Sequence, residues 1–139
     1  MEIGEYHFPE DLYYDPDHWW VRREGDEVIM GMDDFAQKLA GEIVFVQLPE
    51  EGKTLKKGKK LAKVESGKWL GKVLSPVDGQ LVAVNWELEF KPGLINQDCY
   101  GAGWMYRIRA EDVSQLEDLI RGPEAIKRWI HQEIARHTP

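Results

Sequence analysis

Short runs of alternating apolar and polar residues fill most of this chain, and a helical period takes over only near its end. Trp19 to Arg23 and Val28 to Gly31 read as strands joined by the turn Glu24-Gly25-Asp26-Glu27, a first hairpin. Residues 1–18, punctuated by Pro9 and Pro16, read as an irregular lead-in that packs its aromatics. Asp33 is placed to cap a short helix through Ala40, with Phe35 and Leu39 on one face and Gly41 at its C-terminal end. Beyond Gly41 the pattern returns to strands, at Ile43 to Leu48 and Leu61 to Glu65, with turns at Glu51-Gly52-Lys53 and Lys57-Gly58-Lys59.

Gly79-Gln80-Leu81-Val82-Ala83-Val84 then repeats the residue order of Gly41 to Val46, and Lys91-Pro92-Gly93-Leu94-Ile95 repeats the turn-then-apolar order of residues 57–61. Two such half-motifs predict a pair of interlocked sheets. Residues 101–109 read as a closing strand. Asp112 or Ser114 can cap a helix striped by Val113, Leu116, Leu119 and Ile120, ended by Gly122-Pro123. A last helix from Pro123 sets Ile126, Trp129, Ile130 and Ile134 on one face, with Lys127, Arg128 and Glu133 off it, and the ordinary meaning of that stripe is packing on the sheets.

Composition narrows the class. With 139 residues, 42% apolar, and six Trp, the chain can bury one proper core, so residues 1–139 are expected to form a single domain. The lone Cys99 excludes an intramolecular disulfide or a Cys-rich zinc site. The acidic N-terminus lacks the basic start and apolar run of a signal peptide, and no stretch is apolar for long enough to span a bilayer. A soluble, cytoplasmic protein without a membrane partner is the expectation.

Charge is segregated: residues 1–52 carry −11, residues 53–72 carry +7 and residues 73–139 carry −3, within a total of −7. The island Lys53, Lys56, Lys57, Lys59, Lys60, Lys63, Lys68 and Lys72 holds no Arg and only Trp69 as an aromatic. That is a poor match to nucleic-acid readout, and a basic docking face near the functional tip is the favoured reading. His7, His18, His131 and His137 have no metal-ligand spacing, so no metal is expected.

Strand runs flank Ser66-Gly67-Lys68-Trp69, which sets Lys68 at the tip of a hairpin spanning residues 61–79. An exposed lysine there offers a flexible stem and an amine able to form a stable amide with a carboxylate cofactor.

Several ordered motifs resemble the glycine cleavage H-protein family of lipoyl carriers. They are Asp17-His18-Trp19-Trp20, Gly31 to Val46, Leu48-Pro49-x-x-Gly52-Lys53, Val64-Glu65-Ser66-x-Lys68, Ser75-Pro76-Val77-Asp78-Gly79, and Pro92 to Trp104. The resemblance spans about residues 12 to 130. It implies a mainly β barrel-sandwich hybrid of the lipoyl-domain kind, with a short early helix and two C-terminal helices within residues 112–136.

It also implies a monomeric carrier, not an enzyme, with lipoate joined as an amide to Lys68. The arm would take an aminomethyl group from glycine decarboxylase to the aminomethyltransferase, and dihydrolipoamide dehydrogenase would reoxidise the dithiol. Glu65 and Gly52 match positions at which a lipoyl ligase or transferase recognises the hairpin, although for Gly52 an ordinary turn role explains the residue equally well. Biotin carriers resemble Met-Lys-Met at the tip, which this chain lacks.

The tip departs from the family pattern Glu-Ser-Val-Lys-Ala by carrying Gly67 and Trp69, with Lys72 where an acid is usual. Gly67 would loosen the backbone, and Trp69 would cover an apolar patch or lie under the dithiolane. An H-protein-like lipoate-binding protein of a heterodisulfide-reductase-like sulfur oxidation pathway is the alternative.

Overall fold

The computed structural model describes residues 1–137. Three two-residue strands come first, β1 (Glu2–Ile3), β2 (Tyr6–His7) and β3 (Tyr13–Tyr14), where the sequence suggested only an irregular lead-in. The lead-in aromatics do pack, with Phe8 and Tyr14 fully buried. The first hairpin forms as expected from β4 (Trp19–Glu24) and β5 (Glu27–Met32). Helix α1 (Asp34–Ala40) follows, its Ala36 N–H capped by the Asp33 carboxylate at 2.8 Å.

Next come β6 (Ile43–Val46), β7 (Thr54–Leu55), β8 (Lys60–Ser66), β9 (Leu70–Leu74) and β10 (Gly79–Val84). A 3-10 turn (Trp86–Glu89) and the short α2 (Leu94–Gln97) lead to β11 (Tyr106–Ala110). A second 3-10 turn (Val113–Asp118), β12 (Ile120–Arg121) and α3 (Pro123–His137) complete the described chain.

The strands form an open sandwich without a closed barrel. One sheet of the sandwich has the order β12-β3-β4-β5-β11-β10-β7 and the facing one β6-β8-β9, while β1 and β2 pair as a separate two-stranded ribbon. The two halves of the internal repeat, β6 and β10, lie in different sheets. Between the sheets sits the main apolar core, with Val21, Met30, Leu61, Val64, Val73, Leu81 and Ile108 almost wholly buried. A second cluster, Phe8, Tyr14, Trp20, Phe35, Ile126 and Ile130, is sealed by α3.

Four expectations need correcting. Only one of the two C-terminal helices is α-helical. Residues 113–118 form a 3-10 turn because Gln115 is drawn into tertiary bonds, accepting from Asp78 N–H at 2.7 Å and donating to Asp78 Oδ2 at 3.1 Å. Leu119 is then extended, and Ile120 and Arg121 pair with Tyr14 and Tyr13. On α1, Phe35 is buried but Leu39 is 42% exposed. On α3, Glu133 is buried with the apolar stripe, for a reason given below. The closing strand is also shorter than expected, beginning at Tyr106 after turns through Gly103.

Among the described residues no helix is long and apolar enough to cross a membrane, and no group of His, Cys, Asp and Glu is arranged to hold a metal ion.

Candidate functional site

The β8–β9 hairpin closes with Glu65 opposite Leu70 and with the Ser66 N–H donating to the Trp69 carbonyl at 2.9 Å. Gly67 and Lys68 are therefore a two-residue loop at the tip, the shortest connection a hairpin uses. Lys68 N–H turns back to Ser66 Oγ at 3.3 Å. The side chain of Lys68 is exposed, and its ammonium makes no salt bridge with any described residue. Gly67 does not adopt positive φ, and a Cβ there would meet nothing within 4 Å. The loop does not require glycine at that position.

The stem of Lys68 runs past Gly41, with Cε 3.6 Å from where a Cβ at Gly41 would stand. Gly41 ends α1 at φ 78°, a left-handed conformation that favours glycine, and its N–H donates to Gln37 O at 3.1 Å. One side chain fixes this connection. Asn96, on α2, donates to the Gly41 carbonyl at 2.9 Å and to Gln37 Oε1 at 3.1 Å, and it accepts from the Ile43 N–H at 2.9 Å. The bed on which Lys68 lies is thus braced from a segment 28 residues further along the chain.

Trp69 turns inward against the main core. Its indole fills the space over Gly71, so a Cβ at Gly71 would overlap the ring. Trp69 also lines a cleft of about 340 Å³, together with Ala36, Leu39 and Ala40 and with the polar His18, Glu133 and Arg136. The exposure of Leu39 is explained here, because it lines the cleft rather than the core.

His18 and Glu133 belong to a buried cluster. His18 Nδ1 lies 2.8 Å from Asp33 Oδ2, and Nε2 lies 2.7 Å from Glu133 Oε1. Its ring stacks between Phe35 and Trp129, 4.7 Å from each centroid. Burial by itself would lower the His18 pKa, but the bonds and charges of Asp33 and then Glu133 outweigh it and hold the imidazole above its ordinary value. With a carboxylate at each nitrogen, the protonated ring is the form that can donate from both nitrogens at once. Burial also works to raise Glu133, yet the His18 bond and charge, with Arg136, bring it below the usual carboxylate range. Asp33 is fully buried and burial pushes its carboxyl up, the His18 bond offsetting only part of that.

The other sequence candidates fall in different places. Glu65 lies on the strand leading to the tip, its carboxylate 3.2 Å from Lys63 Nζ. Gly52 sits at φ 92° in a separate turn, its N–H donating to the Leu81 carbonyl on β10 at 2.7 Å. The lysine island does not form one patch around the tip. Lys60 pairs with Leu74 at the base of the hairpin, about 20 Å of strand from Ser66, and Lys56, Lys57 and Lys59 lie in the turns leading to that base. Lys57 is engaged with Asp118 Oδ2 at 2.8 Å and the Gln115 carbonyl at 2.6 Å. Cys99 is buried and its thiol is pushed up to about 12 by burial and then by nearby acidic groups. It is not a reactive sulfur at neutral pH.

The His18–Asp33–Glu133 cluster and the Asn96 brace were not found as a site from sequence. Asn96 falls within the Pro92 to Trp104 motif, but nothing in its neighbours pointed to a bracing role. For Glu133 the signal was present, since it falls three residues after Ile130 on the buried side of α3, but its charge argued against burial.

The family model described as "Glycine cleavage H-protein" matches residues 12–132. Proteins described as "Glycine cleavage system H protein" are similar throughout. The one from Magnetococcus marinus is 43% identical over 122 residues, covering 88% of this chain and 86% of its own length. The Mycobacterium avium protein is 46% identical over 113 residues, covering 81% and 86%. The crystal structure of a glycine cleavage system H protein from Mycobacterium marinum superposes with a TM-score of 0.77 at 32% identity, covering 91% of this chain and 98% of that one.

Proposed function

The chain belongs to the glycine cleavage H-protein family, and on that premise we propose that it is a lipoyl carrier loaded on Lys68. The carrier shuttles an aminomethyl group from glycine decarboxylase to the aminomethyltransferase, and dihydrolipoamide dehydrogenase restores the disulfide. One observation supports this above the others: Lys68 is the exposed second residue of a two-residue hairpin tip, without a salt-bridge partner among the described residues, and its neighbour Trp69 lines a cleft of mixed apolar and charged residues.

The residues suit the group. A lipoyl ligase or transferase can reach an amine at such a tip, and the amide that forms removes a charge no described partner needs. Once attached, lipoate supplies the thiol–disulfide chemistry that the buried Cys99 cannot. The chain's own part is to present and shelter the arm. Ser66 and Trp69 close the turn that holds Lys68 outward, Gly41 and Asn96 support its stem, and Trp69 with Leu39, Ala36 and Ala40 offers apolar surface against which the arm can lie. Glu65, on the strand below the tip, is the ligase contact nearest the lysine, whereas Gly52 serves its own turn.

Intact mass after co-expression with a lipoyl ligase tests the attachment. A lipoyl adduct is expected on the wild-type chain and none on Lys68→Arg. An adduct retained by Lys68→Arg would refute the assignment. The lipoylated chain should then support exchange of labelled carbon dioxide into glycine with the decarboxylase. A loaded chain without that exchange would point to another cargo, as in the sulfur oxidation alternative.

A further inference from the structure

Four of the six exposed large apolar residues among the described residues gather on one ridge: Val44 (57%), Phe45 (43%), Trp86 (53%) and Phe90 (84%). Val44 and Phe45 lie on β6, the edge strand of the smaller sheet, where the register with β8 shifts between Ile43 and Phe45. Trp86 and Phe90 bracket the 3-10 turn that packs against this strand through the buried Leu88. Hollows run along both sides of Val44, one reaching Trp86 and the other Phe90 and Pro92. Exposed apolar surface of this extent, concentrated and rimmed by polar groups, marks an interaction site.

Charge identifies the occupant. The rim carries Glu42, Glu51, Glu87 and Glu89, all exposed, with Glu51 Oε1 3.4 Å from Trp86 Nε1. The bases at its edge are Lys91 and Lys63, and Lys63 is tied to Glu65. Two copies of such a rim would repel, whereas a partner whose apolar recess is ringed by Lys and Arg would be attracted and aligned. The position suits a carrier as well. Ile43 pairs with Ser66, so the ridge begins beside the Lys68 tip and Phe45 is about 7 Å further along.

We propose that this ridge is the docking surface for a partner enzyme presenting an apolar recess ringed by basic side chains beside its active-site entrance. The inference rests on the carrier reading, because the partner is an enzyme that acts on the arm. The lipoylated full-length chain is assayed with glycine decarboxylase and with the aminomethyltransferase, as wild type, as Trp86→Ser/Phe90→Ser, and as Glu87→Lys/Glu89→Lys. Both pairs are exposed, and circular dichroism with intact mass verifies fold and loading.

With at least one enzyme, the apolar pair should raise KM for the carrier about tenfold or more with kcat little changed. The charge pair should do so at low salt and much less at high salt. KM within about twofold of wild type for both enzymes would overturn the proposal. A wild-type dimer in sedimentation that the apolar pair abolishes would assign the ridge to a second copy instead. A loaded wild-type chain that supports no reaction with either enzyme would remove the carrier reading, and this surface with it.

Discussion

His18 Nε2 and Glu133 Oε1 are 2.7 Å apart although 115 residues separate them in the chain. Their bond, with the one from His18 to Asp33, ties the cap of α1 to the last turns of α3 beside the cleft. Both partners are close to fully buried, so neither charge can be lost without leaving the others uncompensated.

The alkaline side of the stability profile should therefore belong to His18. Its folded pKa is raised, so the stabilisation is complete below its ordinary value of about 6.5 and is lost as pH rises through the folded value. The groups facing it are Asp33 and Glu133 directly, with Asp15 and Arg136 beyond them. Urea unfolding across this range should show declining stability for the wild type. His18→Asn, which tolerates the left-handed backbone at φ 74°, should lose about 3 kcal/mol at neutral pH and flatten the slope. An unchanged slope would place the titrating group elsewhere.

Gly71→Ala tests the seat of Trp69. The new methyl overlaps the indole, but the ring is partly exposed and can swing out, so the stability cost should stay near about 1 kcal/mol. The larger effect is on position. In a chain labelled with 5-fluorotryptophan, one fluorine resonance should move, and Trp69→Phe should identify it as that of Trp69. A spectrum indifferent to Gly71→Ala would show that the indole does not rest there.

Asn96→Ala removes three hydrogen bonds at once and leaves the Gly41 carbonyl and Ile43 N–H without them. A loss of about 2 to 3 kcal/mol follows from unsatisfied groups in a partly buried site. Hydrogen exchange should quicken at Ile43 and around the tip before it does elsewhere, and the lipoylation rate should fall because the stem of Lys68 loses its support. Uniform destabilisation without local exchange would deny Asn96 that bracing role.

Reversing the lysine island should separate its members. Lys56→Glu, Lys59→Glu and Lys60→Glu lie at the far end of the hairpin and should leave transfer rates within about twofold, since exposed charges beyond a Debye length are largely screened. Lys57→Glu should instead destabilise the fold modestly, by about 1 kcal/mol or less given the exposure of Asp118, because Lys57 holds the 3-10 turn at residues 113–118. A large rate loss from the first three would restore the island as a docking face.

What was legible in the sequence was local. Asp33 as a cap, Gly41 as a helix end and the hairpin tip at Lys68 are each dictated by a few neighbouring residues, and each is found where the pattern put it. What escaped was decided at a distance. Residues 113–118 have a helical stripe, but Gln115 is held by Asp78 and the strand pairing of Ile120 with Tyr14 draws the backbone out. Glu133 reads as solvent-facing until His18, made more than a hundred residues earlier, supplies the countercharge that allows its burial. The lysine island looks like one patch along the chain because extended strands place sequence neighbours far apart.

The same bond between His18 and Glu133 sets an order on synthesis and folding. The sheet that carries Lys68 is assembled from residues 43–74, all contacts of modest sequence separation, whereas the cleft lined by Trp69 is completed only when residue 133 returns to residue 18. Short-range contacts form early and long-range closures late. A nascent or C-terminally clipped chain is therefore expected to present an acceptor lysine before the shelter for what is attached there is complete, and loading such a chain would leave the arm more open to water and to stray thiols.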